Sequence, residues 1–256
     1  MQLQYIAERE LKAAVVEHRA LGGTVVILEP FTGEIYAIAS YPTFNPNAHG
    51  RFTGDDRRNR ASQDVYEPGS TFKIVTIAAA LEDRVVTPQS AFVLAPTIQV
   101  ADRVIHEAHV RGTQRMTVKQ ILSESSNVGT ITIAQKLGAG QLSSWVTRFG
   151  FGEQTGIDYP GESPGLVLPL EEWSGSTIGT VPIGQGIAVT PLQMVASYAA
   201  IGNGGILRTP HLVEKVGQSK PKREAGRRIV SRKTADSMMS MFRDVVLEGT
   251  GAEAAI

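Results

Sequence analysis

The stretch Tyr66-Glu67-Pro68-Gly69-Ser70-Thr71-Phe72-Lys73-Ile74-Val75-Thr76 constrains the fold more than any other, because it joins a chain-breaking turn to a helix that has to be buried. Pro68 and Gly69 stop whatever precedes them, and Ile74, Val75, Ile77, Ala78 and Leu81 then form an apolar surface that places the helix in a core. The helix is expected to begin near Ser70 and to run to about Asp83. Residues three apart share a helix face, so the Ser70 hydroxyl and the Lys73 amine can meet. A serine hydroxyl is a weak nucleophile, but an adjacent amine whose pKa is lowered by apolar surroundings can accept its proton. On these residues alone a second reading stays open, in which Ser70 is a helix N-cap. The same Ser-x-x-Lys spacing recurs at Ser219-Lys220-Pro221-Lys222, in a polar, basic loop with no apolar helix behind it.

A chain of 256 residues with 42% hydrophobic content can bury a full core, and one large domain is the default expectation. Lys plus Arg and Asp plus Glu balance at 25 each, which argues against a nucleic-acid footprint or a broad anionic-membrane surface. There is no Cys, so disulfides and Cys-ligated metals are excluded. The longest apolar runs fall far short of a transmembrane span, and the first residues do not read as an export signal.

Apolar spacing from Leu3 to Val15 predicts a first helix over Gln2 to Arg19, ended by Gly22-Gly23. Thr24 to Leu28 and Glu34 to Ala39 are β-rich runs separated by Pro30-Phe31-Thr32-Gly33, a hairpin that should form a sheet with the first helix on one face. Arg57, Arg58 and Arg60 read as a solvated face. Thr117-Val118-Lys119-Gln120 has capping-box spacing and opens a short helix. Further helices are expected over Val128 to Leu137, Gln141 to Phe149, Thr190-Pro191 to Ile201, and Arg232 to Leu247. Ile206 to Arg208 and Leu212 to Val216 read as short strands, and Lys220, Lys222, Arg223, Arg227 and Arg228 as a solvated basic loop.

Between the helix opened by Thr117 and the one over Val128 to Leu137 lies Ser125-Ser126-Asn127, with Gly129 close behind. Ser126 or Asn127 can cap the helix starting near Val128. The triplet also offers a hydroxyl to relay a proton, Ser125, and an amide to hold a substrate amide, Asn127, as an exposed loop would present them. With these residues in place the chain resembles the transpeptidase domain of class B penicillin-binding proteins, the division and elongation type. Ser70-Thr71-Phe72-Lys73 resembles the family's first motif and Ser125-Ser126-Asn127 its second. Similar blocks span the chain: Leu3 to Glu8, Thr32 to Ala37, Tyr41-Pro42-Thr43-Phe44-Asn45-Pro46-Asn47, and Ile183-Gly184-Gln185-Gly186-Ile187-Ala188-Val189-Thr190-Pro191-Leu192-Gln193.

The resemblance implies an α/β (α+β) fold shared with serine β-lactamases, with an antiparallel sheet flanked by helices. It implies one transpeptidase domain over 1–256, with a mostly helical subdomain inserted over about 61–200. By resemblance Ser70 is the acylated nucleophile, Lys73 the base, Ser125 the relay to the departing D-alanine, and Asn127 the holder of the donor peptide or β-lactam side chain. The Ser70 N–H would form half of an oxyanion hole. Implied partners are peptidoglycan stem peptides, β-lactams, and division or elongation membrane proteins. Implied location is extracytoplasmic, in the periplasm or at the outer face of the cell membrane, through an anchor outside this chain. The family's third motif, Lys-Thr-Gly, does not occur; Lys233-Thr234-Ala235 lies in the start of the last helix. The resemblance therefore implies a fold incomplete at its C-terminus, with an unpaired strand edge. A serine β-lactamase would need a second base, for which Glu162, Glu171 and Glu172 qualify by type only, and against a non-catalytic penicillin-recognising sensor or scaffold stand the intact Ser70, Lys73, Ser125 and Asn127. No cofactor and no metal are expected; His106 and His109, near Glu107, read as structural.

Overall fold

A computed structural model describes residues 2–54, 56–219, 221, 223 and 225–254. Helix α1 (Gln2–Glu17) covers one face of a hairpin, β1 (Gly23–Leu28) and β2 (Ile35–Tyr41), which pair antiparallel from Gly23 opposite Tyr41 to Ile27 opposite Ala37. The register shifts between Ile27 and Leu28, so that Leu28 meets Ile35. Alternation along the strands divides the two faces. Val25, Ile27, Ala37 and Ala39 pack on Ala7, Leu11 and Val15 of α1, while Val26, Leu28 and Ile38 pack with Ile157 and Leu192. The expected turn closes the hairpin, with the Glu29 N–H on the Glu34 carbonyl at 2.8 Å.

After a short helix α2 (Arg60–Gln63), a 3₁₀ turn over Gly69–Phe72 runs directly into α3 (Lys73–Glu82). Strands β3 (Ala91–Leu94), β4 (Thr97–Val100), β5 (Arg103–His106) and β6 (Gln114–Thr117) form two ribbons, β3 with β6 and β4 with β5. Four-residue strands are too short to show a period in the sequence. The helical part continues with α4 (Val118–Ser123), α5 (Asn127–Leu137), α6 (Ala139–Arg148), α7 (Thr177–Thr180) and α8 (Pro191–Gly202). Strands β7 (Ile206–Leu207) and β8 (Arg227–Arg228) and helix α9 (Arg232–Glu248) complete the described elements.

Helix α3 is the axis of the core, buried at every residue from Lys73 to Ala80. Around it stand Val118 and Ile121 of α4, Ile133 and Leu137 of α5, Leu142 and Trp145 of α6, Ala200 and Ile201 of α8, and Met238 and Met241 of α9. Two helix starts read from the sequence are made by the expected chemistry: Thr117 closes a reciprocal capping box, and Thr190 caps α8 with Pro191 in its first turn. The structure adds a reciprocal bond from Gln193 at Thr190 and a Ser231 cap on α9.

Three expectations change. Leu212 to Val216 is no strand, because the Leu212 and Val213 N–H groups donate to the Asp158 carboxylate at 2.7 and 3.0 Å and are lost to any ladder. Arg227 and Arg228 do not simply face solvent: they form β8, and their guanidinium groups donate to the carbonyls of Arg148 and Gly204. Arg58 and Arg60 converge on Asp64, each at 2.8 Å. Lys220 and Lys222, and with them the second Ser-x-x-Lys, lie outside the described residues.

The start of α3 is held from above by 181–189. Tyr66 and Val189 exchange backbone hydrogen bonds at 3.0 Å, and the Gly69 N–H donates to the Gly184 carbonyl at 3.0 Å. Gly184 has φ 75°, and a Cβ there would lie 2.1 Å from the Gly69 carbonyl oxygen. Gly184→Ala is therefore expected to combine the left-handed penalty of about 1–2 kcal/mol with a backbone overlap, lowering the melting temperature by roughly 4–8 °C. A thermal melt reads this directly, and an unchanged midpoint would show that the close approach is not needed.

Candidate active site

The Lys73 side chain is 1% exposed, yet it carries an amine into the interior. A buried ammonium is costly unless partnered, and this one finds two acceptors on one residue. Its Nζ donates to the Ser125 Oγ at 2.9 Å and to the Ser125 carbonyl at 2.5 Å. Burial pulls its pKa from the ordinary 10.5 down to about 8; the Glu107 carboxylate works the other way and the Arg111 guanidinium adds to the lowering. A lysine so adjusted can exchange a proton near neutral pH.

Ser125 is not on an exposed loop. It is half-buried at the C-terminal end of α4, in the left-handed conformation with φ 54°. The Ser125 N–H bonds the Leu122 carbonyl at 3.1 Å and the Ser126 N–H bonds the Ile121 carbonyl at 2.9 Å, the paired pattern of a Schellman helix end. Glycine is the usual residue there, and a side chain costs about 1–2 kcal/mol. Here the position instead carries the hydroxyl that meets Lys73. Helix-ending rules based on glycine do not locate it.

The next two residues open α5. Ser126 caps it, its Oγ accepting from the Gly129 N–H at 2.9 Å, as one of the two sequence readings has it. Asn127 is the first helical residue and its side-chain amide donates to the His106 carbonyl at 3.0 Å. Glu107 occupies the gap between these elements: it accepts from the Ser126 hydroxyl at 2.5 Å and from the Asn127 N–H at 2.7 Å. Arg111 reaches the residue on the other side of Ser125, bonding the Glu124 carboxylate at 2.9 Å and its carbonyl at 3.3 Å.

Ser70 stands in the 3₁₀ turn, three residues before Lys73, exposed while Phe72 is fully buried against Phe151. Neither the 3₁₀ turn nor α3 has a side-chain cap bond, so the N-cap reading of Ser70 does not hold. The Ser70 hydroxyl has no hydrogen-bond partner among the described residues. Its N–H belongs to a first helical turn, where intrahelical acceptors are lacking. Thr71 next to it is fixed by its hydroxyl on the Pro68 carbonyl at 2.7 Å and by the Tyr198 hydroxyl on its own carbonyl at 3.0 Å. A fixed backbone thus presents an exposed hydroxyl three residues before a buried amine.

Sequence reasoning names Ser70, Lys73, Ser125 and Asn127, and the structure brings Lys73 and Ser125 into contact, with Ser70 one turn from Lys73 and Asn127 two residues from Ser125. It misses Glu107 and Arg111 as members of this cluster, since their partners lie far along the chain and no short motif links them. His106 enters only through its backbone carbonyl. Glu162 is fully used elsewhere, accepting from the Thr155 hydroxyl at 2.5 Å, the Thr155 N–H at 2.9 Å and the Gly156 N–H at 3.0 Å. Lys233-Thr234-Ala235 lies in the first turn of α9, and among the described residues β1 pairs with β2 alone.

Residues 23–256 match the family model described as the penicillin binding protein transpeptidase domain. Penicillin-binding protein PbpB of Mycolicibacterium smegmatis is 33% identical over 267 residues, covering 99% of this chain and 41% of that protein. Peptidoglycan D,D-transpeptidase FtsI of Escherichia coli K12 is 34% identical over 250 residues, covering 98% of this chain and 41% of that protein. The crystal structure of penicillin binding protein 3 from Mycobacterium tuberculosis complexed with aztreonam superposes with a TM-score of 0.94 at 33% identity, covering 100% of this chain and 60% of that one. The chain thus spans about two fifths of the length of these curated relatives.

The depressed Lys73 pKa fixes a stability profile. Between about pH 8 and 10.5 the unfolded chain holds a proton on this amine that the folded chain has released, so stability rises with pH across that window, by about 3 kcal/mol in total. Denaturant melts at pH 7.5 and pH 10 should show this rise in the wild type and lose it in Lys73→Met. Equal slopes in the two proteins would mean that Lys73 titrates normally.

Proposed function

The chain belongs to the penicillin-binding-protein transpeptidase family, and from that premise we propose that it carries the acyl-transfer site of a peptidoglycan D,D-transpeptidase. In this reading Ser70 attacks the carbonyl of the penultimate D-alanine of a donor stem peptide while Lys73 takes its proton. Ser125 relays a proton to the nitrogen of the departing D-alanine, and Asn127 holds the donor through its side-chain amide. An amine of a neighbouring stem peptide then attacks the Ser70 ester, forming the crosslink and freeing the serine. A β-lactam mimics the donor and stops at the ester. The same proposal places a mostly helical subdomain over about 61–200 within one transpeptidase domain, and it places the protein at the outer face of the cell membrane. Division or elongation proteins would then be its partners. No helix among the described residues is long and apolar enough to cross a membrane.

The observation that carries the reading is the buried Lys73 amine on the Ser125 hydroxyl, three residues after an exposed Ser70 whose hydroxyl has no hydrogen-bond partner among the described residues. A β-lactamase reading requires a carboxylate free to activate water. Glu162 has both oxygens committed to backbone and hydroxyl donors, while Glu171 and Glu172 sit exposed in a separate 3₁₀ turn. A non-catalytic scaffold needs no buried lysine, whose burial burdens the fold.

A fluorescent penicillin tests this on the natural-length gene product. Wild type should form a stable adduct on Ser70. Ser70→Ala should abolish labelling, and Lys73→Arg, which keeps the charge but cannot release its proton, should slow it by about a hundredfold or more. Rapid turnover of the adduct would mean a hydrolase, and no adduct at all would mean a scaffold.

A further inference from the structure

We propose that Glu107 is a positioning residue of this site: from the end of β5 it fixes the Ser125-Ser126-Asn127 turn, and with it the hydroxyl and carbonyl that Ser125 holds on the Lys73 amine. The clamp stands on the geometry; only its effect on acylation rests on the acyl-transfer reading above.

Each carboxylate oxygen of Glu107 is committed to a different residue of the turn, Oε1 to the Ser126 hydroxyl and Oε2 to the Asn127 N–H. Ser126 has one proton to give. Giving it to Glu107 orients its lone pairs to the Gly129 N–H, so the carboxylate fixes the cap of α5 as well as its first residue. The Asn127 N–H points out of a helix N-terminus, where a negative charge is favoured. The Asn127 side chain is tied to the neighbouring His106 carbonyl, and Arg111 grips Glu124. The connection between β5 and β6 therefore holds the turn on both sides of Ser125.

That grip has a purpose, because the left-handed backbone at Ser125 is not self-stabilising. Ser125 must nevertheless keep both its hydroxyl and its carbonyl on the Lys73 amine. The charged groups acting on that amine come from the same connection: Glu107 favours the ammonium, and Arg111, paired with Glu124, opposes it. A glutamine at 107 cannot do the same work. It offers one acceptor and one donor where the turn presents two donors, and it removes the charge.

The test reads Lys73 by itself. With the chain labelled by [ε-¹³C]lysine and the Lys73 signal assigned by its loss in Lys73→Arg, Glu107→Gln should move the Lys73 titration midpoint down by about half a pH unit or more. In the natural-length gene product, the acid limb of penicillin acylation should move down with it, while the plateau rate falls by about ten- to a hundredfold. Glu107→Asp, which keeps the charge on a shorter arm, should hold the midpoint near the wild-type value and recover part of the rate. A midpoint in Glu107→Gln equal to that of wild type overturns the proposal. So does a failure of both variants to fold, which would make Glu107 a structural brace only. If wild type does not acylate yet the midpoint moves in Glu107→Gln, the acyl-transfer reading fails and the clamp stands.

Discussion

A lysine amine held in the core against a serine hydroxyl is the interaction on which the rest of the structure depends. Burying an ammonium works against folding, and the pKa of about 8 measures how far the interior disfavours the charge. The same disfavour makes Lys73 a usable base, so stability and reactivity pull in opposite directions at one atom. The fold answers by making α3 its most buried helix and packing five other helices around it, so that apolar burial elsewhere on α3 outweighs the cost at its first residue.

Around that amine, backbone geometry is imposed where sequence alone would choose otherwise. Ser125 takes a conformation that suits glycine, and Gly69 and Gly184 are pressed together at a distance that excludes a side chain on Gly184. Both arrangements persist because neighbouring segments over-determine them. For Ser125 the determinants are the paired hydrogen bonds that close α4, the bonds from Lys73, and the grip of Glu107 and Arg111 on adjacent residues. For the turn bearing Ser70 they are the bridge from Tyr66 to Val189, the bond from Gly69 to Gly184, and Tyr198 on the Thr71 carbonyl. These ties leave Ser70 as an exposed hydroxyl with no hydrogen-bond partner among the described residues.

Much of this was readable from the chain. The apolar run after Pro68-Gly69 identifies the central helix, since only burial suits Ile74, Val75, Ile77 and Leu81 together. Thr117 with Gln120 and Thr190 with Pro191 announce helix starts, because a cap acts on backbone within three residues of itself. The hairpin over Gly23–Leu28 and Ile35–Tyr41 follows from two β-rich runs and a short turn. The reading fails where the decisive partner is remote. Leu212 to Val216 has the composition of a strand, but Asp158 takes its donors from 54 and 55 positions away. The ribbons of β3 to β6 are too short for periodicity to register.

The sequence by itself determined which residues could carry chemistry, because a serine and a lysine, Ser70 and Lys73, sit three apart at the start of a buried helix and the Ser125-Ser126-Asn127 triplet precedes another. Those are local relations, set by helix geometry and by the capping preferences of hydroxyl side chains. Only the tertiary structure decided what they become. Contact between Lys73 and Ser125 spans 52 positions, and the bonds from Ser126 and Asn127 to Glu107 span 19 and 20. A proton affinity is set by the burial and charges that surround a group in three dimensions, and no spacing along a chain encodes these; the depressed pKa of Lys73, the strained turn that meets it and the carboxylate that steadies that turn exist only once α3, α4, α5 and β5 are packed together.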